Sequence, residues 1–229
     1  MIITKTPFRI SFFGGGTDYP VWYKKHGGEV ISTTIDKYVY ISARELPKFF
    51  DYKYRVVYSK DEMVKSLNEI KHKPVREILK YFNIHSGLEI HCDTDLPSRS
   101  GVGSSSAFVV GFLHSIMCMK KKKINKNSLA SQSIFLETKI LKETVGSQDQ
   151  VACAYGGFNN IKFIKNGRFT VSKIKLSKSN MQIIENNLFL VFSKIQRTAE
   201  IVARSFVNKL CDKKYREMHD INQILREAK

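Results

Sequence analysis

The sequence predicts an α+β fold, and three observations carry that expectation. Runs rich in β-branched and aromatic residues are interspersed with helix-type stretches along the chain. Asn166-Gly167 stands between two β-type runs, 158–164 and 168–174, which is a strong hairpin signal. Residues 107–119 are almost wholly apolar yet shorter than the ~18 residues a membrane span needs, so they read as a helix buried in a core.

The remaining elements follow in order. Residues 1–13 hold short β-type runs broken by Pro7, and Gly14-Gly15-Gly16 is a loop by composition. Residues 30–43 predict one or two strands and 55–58 another. Residues 61–70 and 74–81 predict helices, the second opening on Pro74. Leu88, Ile90 and Cys92 alternate with Glu89, His91 and Asp93, the period of a strand. Residues 96–106 form a glycine- and serine-rich loop. Residues 128–142 carry Leu129, Ile134, Leu136, Ile140 and Leu141 at helical spacing, with Asn127 or Ser128 as the cap. Residues 188–192 predict a strand, and 199–210 and 214–228 predict helices.

A length of 229 residues suits one large domain or two small ones, and 42% apolar with 26% charged residues argues for a folded chain. Lys and Arg number 38 against 21 Asp and Glu, a formal charge of +17, so the surface attracts anions. The only dense run is Lys120 to Lys123, which reads as a loop or a solvated helix end. No aromatic-interleaved basic repeat suggests nucleic acid as a partner. No membrane is expected either: the N-terminus lacks the apolar core of a secretory leader, so the expected location is cytoplasmic. The four cysteines and six histidines fall at no zinc or dithiol spacing. The oligomeric state stays open between monomer and homodimer.

Four segments carry chemistry. The first is Pro97-Ser98-Arg99-Ser100-Gly101-Val102-Gly103-Ser104-Ser105-Ser106. Small residues between a strand and a buried helix let backbone N–H groups converge on an oxyanion at the helix N-terminus. A merely flexible loop with a serine cap is the competing account, and the Gly-Lys-Ser/Thr ending of a Walker loop is absent. The second runs from Arg9 through Gly14-Gly15-Gly16 to Thr17-Asp18, which alone is also a strand and a tight turn. The third pairs Glu137, on an expected helix, with Asp149 in the loop Gly146-Ser147-Gln148-Asp149-Gln150; Glu143 competes with Glu137 as a metal-binding carboxylate. The fourth is Lys194-Ile195-Gln196-Arg197-Thr198-Ala199, where Arg197 offers a bidentate fork to a phosphate or simply starts a helix.

Taken in order, these segments resemble the motifs of the GHMP kinases, with Val102 where leucine and Ser106 where alanine are usual. The resemblance implies a GHMP-kinase N-terminal ATP-binding domain over residues 1–180, with helices on a mixed βαβ-type sheet, and the start of an incomplete C-terminal domain over 181–229. It implies ATP as phosphoryl donor and Mg2+ as cofactor. Pro97, Ser100, Gly101, Val102, Gly103, Ser104, Ser105 and Ser106 would hold the phosphates, and Ser105 and Glu137 the metal. Asp149 would accept the proton of a sugar hydroxyl, with Arg9 beside it near the γ-phosphate. Gly15, Gly16, Thr17, Asp18 and Arg197 would meet the substrate, a small sugar or sugar phosphate. Gly15 and Gly16 stand where galactokinase-like members carry a Glu-His pair. In this the chain resembles kinases of D-glycero-D-manno-heptose 7-phosphate, and secondarily L-fucokinases. A ligand-binding module of the same fold, without catalysis, is the alternative class.

Overall fold

The structure, a computed structural model, describes residues 1–98, 100–191 and 215–228, together with 203, 205 and 207. Its strands form one seven-stranded mixed sheet. Strands β1 (Ile2–Phe13) and β2 (Gly28–Glu45) pair antiparallel, with register shifts at Pro7/Arg9 and Ser11/Phe13. The first shift falls where proline has no N–H to give the ladder. Between these strands lie the glycine turn and a short helix, α1 (Pro20–His26), which the sequence pattern does not single out.

The 18-residue β2 organises the sheet. One edge carries β1; along the other, β6 (Phe158–Phe163) pairs with residues 28–33 and β5 (Leu88–Thr94) with residues 39–45. β3 (Tyr54–Val57) runs parallel to β5, β4 (Asp61–Val64) lies antiparallel on β3, and β7 (Phe169–Lys173) closes the hairpin with β6.

β4 corrects the expected helix over 61–70, which is instead a strand followed by a single 3-10 turn, Leu67–Glu69. Tertiary pairing overrides local preference here. Tyr58 N donates to Lys60 O at 2.8 Å to reverse the chain, and Arg55 Nη2 holds Asp61 Oδ2 at 2.7 Å across the two strands. Glu62 then turns inward and accepts from Lys71 N, His72 N and Tyr58 Oη.

Helices cover one face of the sheet. α2 (Lys73–Tyr81) opens close to its expected start. α3 (Ser104–Met119) begins before the expected residue 107, so the three serines are its first turn rather than the end of a loop. It is buried over nearly its whole length, with Phe112, Leu113 and Ile116 against Phe8 and Ile41 of the sheet. Gly111 lets it approach closely: Thr4 Oγ1 donates to Gly111 O at 3.1 Å. α4 (Lys126–Phe135) is capped by Asn125, whose side chain accepts from Ser128 N at 2.8 Å, and not by Asn127 or Ser128. It widens into a π-helical turn, Leu136–Ile140, that carries Glu137. α5 (Gln148–Tyr155) replaces the loop expected around Asp149.

After β7 comes α6 (Lys178–Asn187), capped by Ser177. Residues 188–191 are not the expected strand; they are exposed and pair with no strand among the described residues, and Phe192 lies outside those. Residues 203, 205 and 207 are helical, while the rest of the expected helix over 199–210 lies outside the described residues. α7 (Tyr215–Glu227) lies close to expectation and packs Met218 against Trp22 of α1. Among the described residues no helix is long and apolar enough to cross a membrane.

Candidate active site

β1, the turn before α3 and the first turn of α5 meet at one point. Arg9 on β1 donates from Nε to Asp149 Oδ1 and from Nη2 to Asp149 Oδ2, both at 2.7 Å. The pair is largely sheltered, with side-chain exposures of 14% and 23%. Burial works against the Arg9 cation, but Asp149 outweighs it and holds the guanidinium firmly charged. The third guanidinium nitrogen, Nη1, donates to Gly101 O at 2.7 Å, and the Arg9 backbone N–H donates to Val102 O at 3.0 Å. One residue thus ties the glycine loop to the sheet and to Asp149.

The loop is built for close approach. Gly101 and Gly103 both have φ +80, a left-handed conformation that costs glycine little. Val102 between them is buried and anchors the loop in the core. Gly103 is the N-cap of α3, and no side chain caps that end. The first intrahelical donor is Ala107 N, to Gly103 O, which leaves the amides of Ser104, Ser105 and Ser106 free of helical partners. The Ser100 hydroxyl is buried without a hydrogen-bond partner among the described residues. Uncapped amides, the positive end of a 16-residue helix and an orphaned hydroxyl suit an anion.

Behind the loop, Glu137 is fully buried and accepts from Ser106 Oγ at 3.1 and 2.9 Å and from Gln150 Nε2. Burial pushes its carboxyl up to about 8, against the weaker pull of those two donors. Ser105, expected beside it, is exposed at the helix start; Ser106 makes the contact instead. Among the described residues no three His, Cys, Asp or Glu side chains form a metal cage. The donor chemistry nevertheless suits Mg2+: Glu137 offers carboxylate oxygens whose hydrogen-bond partners are neutral, and the Ser105 hydroxyl is exposed at the start of α3.

The glycine turn divides in two. Gly15 is exposed and Gly16 partly so, and an added Cβ at Gly15 would lie 3.8 Å from Gln148 Nε2, one residue from Asp149. Thr17 and Asp18 are fully buried. Thr17 Oγ1 donates to Gly14 O and Glu29 O and accepts from Glu29 N, which fastens the turn to β2. Asp18 accepts from Gly16 N at 3.0 Å, Gln148 N at 3.1 Å and Gln148 Nε2 at 3.2 Å. Burial, then the charge of Asp149, raises its carboxyl to about 6. Pro97 is exposed at the loop entrance. Arg197 lies outside the described residues. Gln148 and Gln150, which clamp Asp18 and Glu137 on either side of Asp149, were not singled out; their only signal in the sequence is that they flank that aspartate.

Residues 59–157, from the β3–β4 turn through α5, match the model of the GHMP kinases N terminal domain. A D-glycero-alpha-D-manno-heptose 7-phosphate kinase from Campylobacter jejuni is 27% identical over 97% of the chain. Over residues 59–157, somewhat under half of its length, the chain is similar to a GHMP kinase N-terminal domain. With it the expected kinase class and α+β fold stand. The chain spans 68% of the Campylobacter protein. Among solved structures, a D-glycero-D-manno-heptose 1-phosphate kinase from Bacteroides thetaiotaomicron superposes with TM-score 0.70 at 23% identity, over 78% of this chain and 61% of that one. The mevalonate kinase of Methanococcus jannaschii gives TM-score 0.65 at 21% identity, over 99% of this chain and 72% of that one. The GHMP match begins after β1 and the glycine turn, so Arg9 and Asp18 enter the site from outside the matched segment.

Proposed function

We propose that the chain transfers the γ-phosphoryl group of ATP to a hydroxyl of a sugar phosphate, with D-glycero-D-manno-heptose 7-phosphate as the substrate. The Arg9–Asp149 pair, held against an uncapped glycine loop, is the observation that supports this most. Phosphoryl transfer depends mainly on positioning and charge stabilisation. The amides of Ser104 to Ser106 and the helix dipole hold the phosphates. Asp149 orients the attacking hydroxyl and takes its proton. Arg9 pairs with Asp149 and aims it, and its charge faces the transferred group. Ser105 and Glu137 would hold Mg2+, which would supply charge neutralisation to the phosphates.

Gly15 and Gly16 leave room beside Asp149 for a seven-carbon sugar, and Arg197 is assigned to its 7-phosphate. The 27% identity to a heptose 7-phosphate kinase supports that choice of substrate. ATP as donor suits the cytoplasmic location expected from the sequence. A coupled ADP-release assay across heptose 7-phosphate, heptose 1-phosphate, galactose and L-fucose tests the proposal. The 7-phosphate should give the highest kcat/KM. Preference for L-fucose would replace the heptose reading, and nucleotide binding without turnover on any sugar would leave a binding module.

A further inference from the structure

Asp18 is fully buried at the end of the glycine turn, and its carboxylate accepts three hydrogen bonds from protein groups. Oδ2 accepts the backbone N–H of Gln148, the first residue of α5, at 3.1 Å. Oδ1 accepts the Gln148 side-chain amide at 3.2 Å and the Gly16 backbone N–H at 3.0 Å. The Asp18 backbone carbonyl accepts Ser147 N at 3.0 Å. The residue at the N-cap of α5, Ser147, makes no side-chain cap of its own. An acceptor at that place normally comes from the N-cap residue itself. Here it comes from the turn after β1, 130 positions earlier in the sequence.

The chain has made space for this. A Cβ on Gly146 would sit 1.9 Å from Asp18 Oδ2 and 2.8 Å from its carboxyl carbon. Gly146 does not need left-handed backbone, so its lack of a side chain serves the approach of Asp18. Asp149 is the residue after Gln148, in the same first turn of α5.

We propose that Asp18 is a positioning residue: its carboxylate caps α5 from the glycine turn and so aims Asp149, and it makes no contact with the sugar. The inference rests on the reading of Asp149 as the group that faces the attacking hydroxyl. A misaimed group of this kind costs turnover, whereas loss of a substrate contact costs affinity.

The experiment uses the full chain with ATP and the best sugar of the assay above, in Asp18→Ala, Asp18→Asn, Gly146→Ala and Asp149→Asn. Asp18→Ala should lower kcat roughly 10–100-fold with the sugar KM changed less than about threefold. Asp18→Asn keeps one acceptor oxygen and should fall between it and wild type. Gly146→Ala, which displaces the carboxylate while leaving Asp18 in place, should copy Asp18→Ala. Independently of any substrate, amide hydrogen exchange over residues 148–152 should quicken about tenfold in both Asp18→Ala and Gly146→Ala. A sugar KM raised about tenfold or more at near-normal kcat makes Asp18 a substrate contact and overturns the proposal. So does unchanged exchange in Gly146→Ala, the variant that decides the matter if Asp18→Ala does not fold. Full turnover in Asp149→Asn would instead remove the acid–base reading, and exchange alone would then decide whether Asp18 caps α5.

Discussion

Arg9 meets Asp149 edge to edge, Nε to Oδ1 and Nη2 to Oδ2 at 2.7 Å each, while its remaining nitrogen holds Gly101 O at 2.7 Å. The Asp149 carboxylate and the glycine loop are therefore set by one guanidinium. A lysine could not reproduce this, because a single ammonium lacks the planar fork.

Asp149→Asn removes the charge and keeps the shape. Turnover should fall at least about 100-fold, the usual scale for a positioned acid–base group, with nucleotide affinity nearly unchanged. Steady-state rates and calorimetric titration with ADP measure the two separately. Wild-type turnover in the variant would take Asp149 out of the chemistry.

Gly103→Val should abolish nucleotide binding. The position has φ +80, and an added Cβ would come within 3.2 Å of Arg9 Cγ and 3.4 Å of Asp149 Oδ2. Branching there strains the turn and displaces the pair behind it. Equal ADP affinity in variant and wild type, by calorimetry, would remove the loop from the phosphate site.

Arg197→Ala should weaken a phosphorylated sugar by roughly 1.5–3 kcal/mol, the range for a hydrogen bond to a charged group, and leave a neutral sugar untouched. The motive is the sequence of residues 194–199. Equilibrium binding of heptose 7-phosphate and of the unphosphorylated heptose checks it; equal losses for both would place Arg197 elsewhere.

Asp18 should leave a signature in the pH dependence of stability. Its carboxyl rises from 3.8 to about 6 on folding, with Asp149, Arg9 and Tyr19 as the charged or titratable groups coupled to it. A raised folded-state value means that the stabilisation is complete below pH 3.8 and is lost as pH rises through 6. At 1.36 kcal/mol per pH unit that loss is on the order of 3 kcal/mol. In urea unfolding, the stability of wild type minus that of Asp18→Asn should therefore fall by about that much between pH 4 and pH 7. A flat difference would show that Asp18 does not titrate in this window.

Gly111→Val should destabilise the fold by about 1–3 kcal/mol, the usual cost of overpacking. A Cβ there would lie 2.6 Å from Thr6 Oγ1 and 3.3 Å from Ile41 Cδ1, both on the sheet beneath α3. The gain in helix propensity over glycine, at most about 1 kcal/mol, is too small to offset it. Chemical denaturation monitored at Trp22 measures the balance.

What the sequence made legible was local. The Asn166-Gly167 turn, the apolar α3 and the glycine-serine loop each announce themselves within a short window, because turn chemistry and burial act over a few residues. Strand β4 did not, since its pairing with β3 depends on Arg55 reaching Asp61 across a reversal. Nor did α5: Gly146-Ser147 reads as loop, and the carboxylate that starts the helix comes from Asp18. Arg9, Glu137 and Asp149 were found through the order of the motifs, but the geometry joining them was not written in any one of those motifs. The partner of Glu137 is a case in point. Helical phase puts Ser106, not Ser105, on the inner face of α3 against the π-turn.

The contact of α7 with the glycine turn bears on how the protein matures. Met218 closes over Trp22, and Leu225 Cδ1 lies 2.5 Å from where a side chain on Gly14 would begin. A nascent chain emerges N-terminus first, and domains fold as it lengthens. The sheet from β1 to β7, with α3 and α5 upon it, needs nothing beyond residue 173 to close. Trp22 and the back of the glycine turn must wait, solvent-facing, until residues 215–227 have left the ribosome. The sheet and the glycine loop before α3 are therefore complete before α7 covers Trp22 and the back of the glycine turn, and this surface is the one that a ribosome-associated chaperone would have time to see.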